Sequence, residues 1–183
     1  MALGDPKRPR KKYKTPRHPW RADVLKEELE IMGIYGLRNK RELWRAKTTV
    51  SHFRRIARSL LSQPPEVRKK RERELLDKLY RLGLLDEGAE LDHVLDLRVE
   101  HLLERRLQTL VYRKGLAVSP YQARQLIVHG HIAIGGRKVY SPGYIVKRDE
   151  EDLITYAPTS PFANKKPPGL EGKEGSEAGG GSA

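Results

Sequence analysis

At 183 residues the chain is long enough to bury a core in one or two domains, and 37 Lys+Arg against 24 Asp+Glu leave a net charge of +13. That balance points to a polyanionic partner, nucleic acid ahead of an anionic membrane surface. The absence of cysteine excludes disulfides, cysteine-ligated zinc and thiol catalysis, and no apolar run approaches the roughly 20 residues that span a bilayer.

The charge is uneven. Residues 1–60 carry 17 Lys+Arg and 6 Asp+Glu, 61–103 carry 8 and 10, and 104–157 carry 9 and 5. Two cationic regions thus flank a near-neutral connector, as a protein touching RNA in two places requires. Residues 1–20 hold prolines at 6, 9, 16 and 19 among Arg8, Arg10, Lys11, Lys12 and Arg17. This arm has too little to bury to fold alone, and beside RNA it can lie along phosphates with Tyr13 and Trp20 free to stack.

Ala22 to Met32 reads as a helix with Leu25, Leu29 and Met32 on one face, broken by Gly33 and Gly36. Asn39 and Glu42 form a capping-box pattern for a second helix reaching about Leu61. Its seam is Leu43, Ala46, Val50, Phe53, Ala57 and Leu60, and its other side carries Arg41, Arg45, Arg54, Arg55 and Arg58. Carboxylates are nearly absent after Glu42, so this side is a candidate phosphate-binding face. Glu66 to Leu82, after Pro64-Pro65, is a helix of alternating charge packed by Leu75, Leu76, Leu79 and Leu82, and its role is structural. A short acidic helix is expected at Leu91 to Leu95. Asp92, His93 and Asp96 there read as a solvated face, not a metal site.

From Glu104 the pattern becomes two short helices and a small twisted sheet. Leu107, Leu110 and Val111 face inward in the first helix, with Arg105, Arg106 and Arg113 turned away and Gly115 at its end. Ser119, Pro120 and Gln122 open the second helix. Ala123, Leu126 and Ile127 point inward, and Tyr121, Arg124, Gln125 and Val128 form an outer stripe. His129 and His131 flank the turn at Gly130, His131 to Ile134 alternates as a strand, and Gly135-Gly136 is a hairpin signal with Arg137 and Lys138 on the return. Asp149 to Asp152 make a polar turn before a strand at Leu153 to Tyr156. From Pro158 the sequence loses periodicity, with Lys165 and Lys166 as further cations in a flexible tail.

The segment ARQLIVHGHI, GGRKV and PGYIV resembles the small RNA-binding module named after small-subunit ribosomal protein four. HPWRADVLKEELEIMGIYGLRNKRELWRA and LERRLQTLVYRKGLA extend the likeness to the archaeal branch of that family, over about residues 4–165. The fold class expected is α+β: a helical region (21–103) packed with the module (104–157), flanked by a disordered basic arm (1–20) and a flexible tail (158–183). Continuity from Val99 to Leu103 into the module predicts one packed body. The resemblance implies a cytoplasmic ribosomal protein that binds small-subunit ribosomal RNA at a multi-helix junction in its 5′ domain and nucleates assembly. It also implies small-subunit ribosomal protein five as a neighbour, and an influence on accuracy near the channel through which messenger RNA enters. The alternative is a free-standing RNA-binding translation or ribosome-rescue factor. No phosphate-cradling GxxxxGK loop, nucleophile motif or paired metal ligands occur, so neither catalysis nor a cofactor is expected. The N-terminal cysteine cluster of some bacterial relatives is missing, and its zinc is not carried over.

Overall fold

The computed structural model describes residues 11–163 and 167. Arg8, Arg10, Lys165 and Lys166 therefore lie outside the described residues, as do the outer half of the arm and most of the tail. In chain order come α1 (Ala22–Ile34), α2 (Lys40–Leu61), α3 (Pro65–Arg81), α4 (Leu91–Leu95), α5 (Val99–Glu104), α6 (Leu107–Arg113) and α7 (Pro120–Val128). Strands β1 (Ile132–Ile134), β2 (Arg137–Lys138) and β3 (Ile154–Tyr156) follow, with 3-10 turns at Arg148–Glu150 and Pro161–Ala163. The sheet order is β2-β1-β3, antiparallel throughout. Ala133 pairs with Lys138 on one side and Thr155 on the other.

The longest helix, α2, organises the first part. Asn39 Oδ1 accepts from the Glu42 amide at 3.2 Å, satisfying one of the orphan donors of the first turn. The six apolar residues expected along its seam are its buried residues, and α1, α3, α4 and α5 pack around it. Leu43 and Leu79 are wholly enclosed, each a side chain whose burial is worth about 1.5–3 kcal/mol. In α1 the expected face is corrected. Leu29 is 60% exposed, and the inward position belongs to Glu28 at 1%. A buried carboxylate needs partners, and Glu28 has them: Trp44 Nε1 at 2.9 Å, Lys47 Nζ at 3.1 Å and Lys40 Nζ at 3.3 Å. Burial alone would raise its pKa, but these three donors outweigh it and hold the carboxyl below its ordinary value.

The continuous passage expected from Val99 into the module is interrupted. Helix α5 stops at Glu104, α6 starts at Leu107, and Arg106 instead forms an isolated β-bridge with Ile145. Leu107 N–H donates to Tyr144 O at 2.8 Å, and Val146 N–H donates to Arg105 O at 2.9 Å. This extended crossing aims successive side chains to opposite sides. Ile145 packs on the helical core and Val146 is buried in the module core, so two apolar cores meet at one seam. In the module core, Ala123 and Ile127 from α7 are fully buried beside Leu107 and Val111 from α6, with Leu126 nearly so.

The seam is also tied by a buried amide. Gln108 is 0% exposed, and its Nε2 lies 2.8 Å from Gly36 O and 3.0 Å from Pro120 O. It thereby joins the α1–α2 turn to the start of α7. Gly36 sits at φ +58°, and a Cβ there would stand 2.7 Å from Pro120 Cβ. Only glycine tolerates both that backbone and that approach.

Candidate nucleic-acid interface

The cations fall into two groups that the sequence does not separate. On α2, Arg41, Arg45, His52 and Arg55 follow one line of the helix, and all four are exposed. Arg41, Arg45 and Arg58 have no ion pair or side-chain hydrogen bond among the described residues, whereas Arg55 Nη2 lies 3.0 Å from His52 Nδ1. Arg54, half-buried, is turned away: it donates to Leu97 O and ties α2 to the segment after α4.

The inner half of the arm extends this face. It has no helix or strand, and Tyr13 stacks on Trp44 with ring centroids 5.9 Å apart. Lys14 N–H donates to Thr48 Oγ1 at 3.0 Å, and Lys11 Nζ lies 4.7 Å from the Tyr13 ring centroid. Lys11, Lys12 and Arg17 are all exposed, so the arm delivers its charge alongside that of α2.

Helix α7 opens with Ser119 Oγ accepting from the Gln122 amide at 3.2 Å, while Gln122 Oε1 accepts from Val118 N–H at 2.7 Å. Along α7, Tyr121 is 58% exposed, Gln125 is exposed, and His129 lies open at its end. Arg124 departs from the expected outer stripe. Its Nη2 reaches Glu42 Oε1 at 2.8 Å, because a carboxylate on α2 faces the helix across the seam. Arg106 Nη2 meets Glu42 Oε2 at 2.9 Å and is 6% exposed, so it points inward, not outward. Burial presses the Glu42 pKa upward, but the two guanidiniums prevail and hold it below its ordinary value.

Arg105 and Arg113 are likewise engaged. Arg105 Nη1 lies 2.5 Å from Glu151 Oε2, and Arg113 Nη2 lies 2.9 Å from Glu104 Oε1. Glu104 also accepts from Tyr35 Oη at 3.0 Å, and burial together with that carboxylate pushes the Tyr35 hydroxyl up to about 12. The acidic turn is a clamp on the module: Glu151 takes Arg105, Asp152 lies 3.7 Å from Lys114, and Glu150 accepts from Tyr144 Oη at 2.8 Å. His131 is half-buried, with Nδ1 2.9 Å from Ser160 Oγ and Phe162 edge-on at 4.8 Å. Arg137 and Lys138 sit on the exposed β2 edge with no side-chain partner among the described residues.

Two exposed residues escaped the sequence reading. Arg38 stands between α1 and α2 beside Lys40 and Arg41, a cluster visible in RNKR. Tyr140 is 61% exposed and rests over Gly130, where a Cβ would stand 2.6 Å from its Cε1, a closeness that no local pattern announces. Among the described residues no group of three His, Asp or Glu side chains is placed to hold a metal, and no helix is long and apolar enough to cross a membrane. His93 has a local task, since its Nδ1 accepts from Glu90 N–H at 3.1 Å.

The chain is similar to known proteins along most of its length. Residues 7–104 match the ribosomal protein S4/S9 N-terminal domain, and residues 105–152 match the S4 domain. The small ribosomal subunit protein uS4 of Hyperthermus butylicus is 63% identical over 164 residues, covering 90% of this chain and 93% of that protein. That of Ignicoccus hospitalis is 62% identical over 163 residues, covering 89% and 98%. That of Saccharolobus islandicus is 54% identical over 178 residues, covering 97% and 98%.

Proposed function

Because this chain belongs to the uS4 family of small ribosomal subunit proteins, in its archaeal branch, and is a structural constituent of that subunit in the cytoplasm and not an enzyme, we propose that it acts by gripping small-subunit ribosomal RNA at a multi-helix junction of the 5′ domain. The observation that carries this reading is the exposed cationic side of α2, where Arg41, Arg45 and Arg58 have no ion pair among the described residues. An uncompensated cationic face attracts phosphates, and each contact releases counterions from the RNA. The arm lengthens this face, while Tyr121, Gln125, His129, Arg137 and Lys138 offer planar and cationic groups on the module. Those groups suit unstacked bases and riboses of folded RNA. Two faces on one body joined through Gln108 and Glu42 hold converging RNA helices at a fixed angle, and that is how such a protein nucleates assembly. Contact with small-subunit ribosomal protein five, and an effect on accuracy where messenger RNA enters, belong to the same proposal.

Chemical footprinting of small-subunit ribosomal RNA with the purified protein tests it, at about 0.3 M salt to suppress nonspecific, counterion-driven binding. Compact protection at one 5′-domain junction is expected. Diffuse or absent protection would reject the junction and favour a generic polycation.

A further inference from the structure

Arg106 and Arg124 come from different elements of the module and converge on a single oxyanion, Glu42 on α2. Arg45, three residues along α2, lines the same cleft with no anion of its own among the described residues. Three arginines thus line a cleft that holds one carboxylate. The cleft has a volume of 330 Å³, well above what a single water needs. Its floor is apolar, built from Ala46, Leu102, Leu103 and Ile145, which weakens screening of the charges above it. Glu42 has two oxygens, and they already receive three guanidinium contacts, at 2.8, 2.9 and 3.3 Å.

We infer that this interdomain cleft is a seat for one RNA backbone phosphate, with Glu42 as the resident anion whose place the phosphate takes. The inference rests on the ribosomal-RNA reading above and adds to it a specific site and a means of control. A phosphodiester carries one negative charge and two free oxygens, so it fits the same fork geometry that Arg106 and Arg124 present to a carboxylate. It also gives Arg45 a partner. Glu42 and a phosphate cannot share the cleft without like-charge repulsion, so Arg124 exchanges one for the other when RNA arrives. Without RNA, Glu42 keeps one buried and one half-buried guanidinium neutralised and the seam closed.

The test uses the full chain and two variants. Glu42→Gln keeps the shape of the side chain and removes the competing charge. Its thermal midpoint is expected to fall, yet it should bind a 5′-domain transcript roughly threefold or more tightly than wild type at the same salt. Inorganic phosphate, compared with chloride at equal ionic strength, should raise its midpoint more than that of wild type. Arg45→Ala removes an exposed side chain with no ion pair among the described residues, so it should fold normally and lose the phosphate-dependent rise. A folded Glu42→Gln variant that binds RNA no better than wild type overturns the inference. If that variant does not fold, an equal phosphate response in wild type and Arg45→Ala overturns it instead. Loss of the 5′-domain footprint with the phosphate response intact would reject the junction while leaving the cleft standing.

Discussion

Gln108→Leu conserves volume and removes the amide that bridges the helical part to the module. In the wild type Nε2 donates to Gly36 O at 2.8 Å and Pro120 O at 3.0 Å, and Oε1 lies 3.3 Å from Arg124 Nη1. A net hydrogen bond contributes about 0.5–1.5 kcal/mol, and a buried carbonyl left without a donor costs about 1–3 kcal/mol. Gln108 is wholly enclosed, so water does not readily replace its amide. Gly36 O loses its donor and Tyr35 O a longer contact at 3.3 Å, whereas Pro120 O keeps its partner within α7, and leucine adds some apolar burial, for a loss of about 1–3 kcal/mol. For a chain of this size each kcal/mol lowers the thermal midpoint by about 2–4 °C. Urea unfolding followed by far-UV circular dichroism reads the difference directly. Gln125→Leu, on the exposed side of α7, is the control and should stay within about 0.5 kcal/mol of wild type. A loss below about 0.5 kcal/mol for Gln108→Leu would refute the reasoning, since the carbonyls would then be satisfied without it.

Two glycines three residues apart should respond with opposite signs. Gly33 lies inside α1 with nothing within 4 Å of an added Cβ, so Gly33→Ala should stabilise by about 0.5–1 kcal/mol in the same urea titration. Gly36→Ala meets Pro120 Cβ at 2.7 Å in a left-handed backbone, and should destabilise by more than about 1 kcal/mol. Glu28 supplies the pH dependence. Its folded pKa lies below the ordinary 4.5, so its stabilisation is complete above that value and is lost as pH falls through the folded value. Glu28→Gln should therefore be less stable than wild type at neutral pH, with the gap closing on acidification. Urea midpoints taken between about pH 7 and pH 3 check this, and a gap that stays constant would remove Glu28 from the account.

The regular elements were legible because they obey local rules. The seam of α2 carries its pattern in six apolar residues, and the cap at Asn39 and the hairpin at Gly135-Gly136 are set by neighbours in sequence. Leu29 and Glu28 show where the periodic reading fails. Apolar spacing placed Leu29 inside, yet α1 turns Glu28 inward, since Trp44, Lys40 and Lys47 make a buried carboxylate tolerable. Those donors are at least 12 positions away, beyond any window that reads one helix. The break at Arg105-Arg106 was hidden for the same reason, because the partner that converts helix into β-bridge is Ile145.

The cations divide along the same line. Charge is additive in the sequence, and the two basic regions could be counted from it, but whether a guanidinium is available depends on which carboxylate faces it after folding. Arg105, Arg106, Arg113 and Arg124 all have carboxylates opposite, supplied from Glu151, Glu42 and Glu104, whereas Arg41, Arg45, Arg58, Arg137 and Lys138 have none among the described residues. The paired set lies along the seam and within the module, where neutralised charges fix geometry. The unpaired set lies on α2 and on the β2 edge, where no internal pair among the described residues has to break before an anion is met. The cleft at Glu42 is lined by Arg45 from the unpaired set and by Arg106 and Arg124 from the paired one.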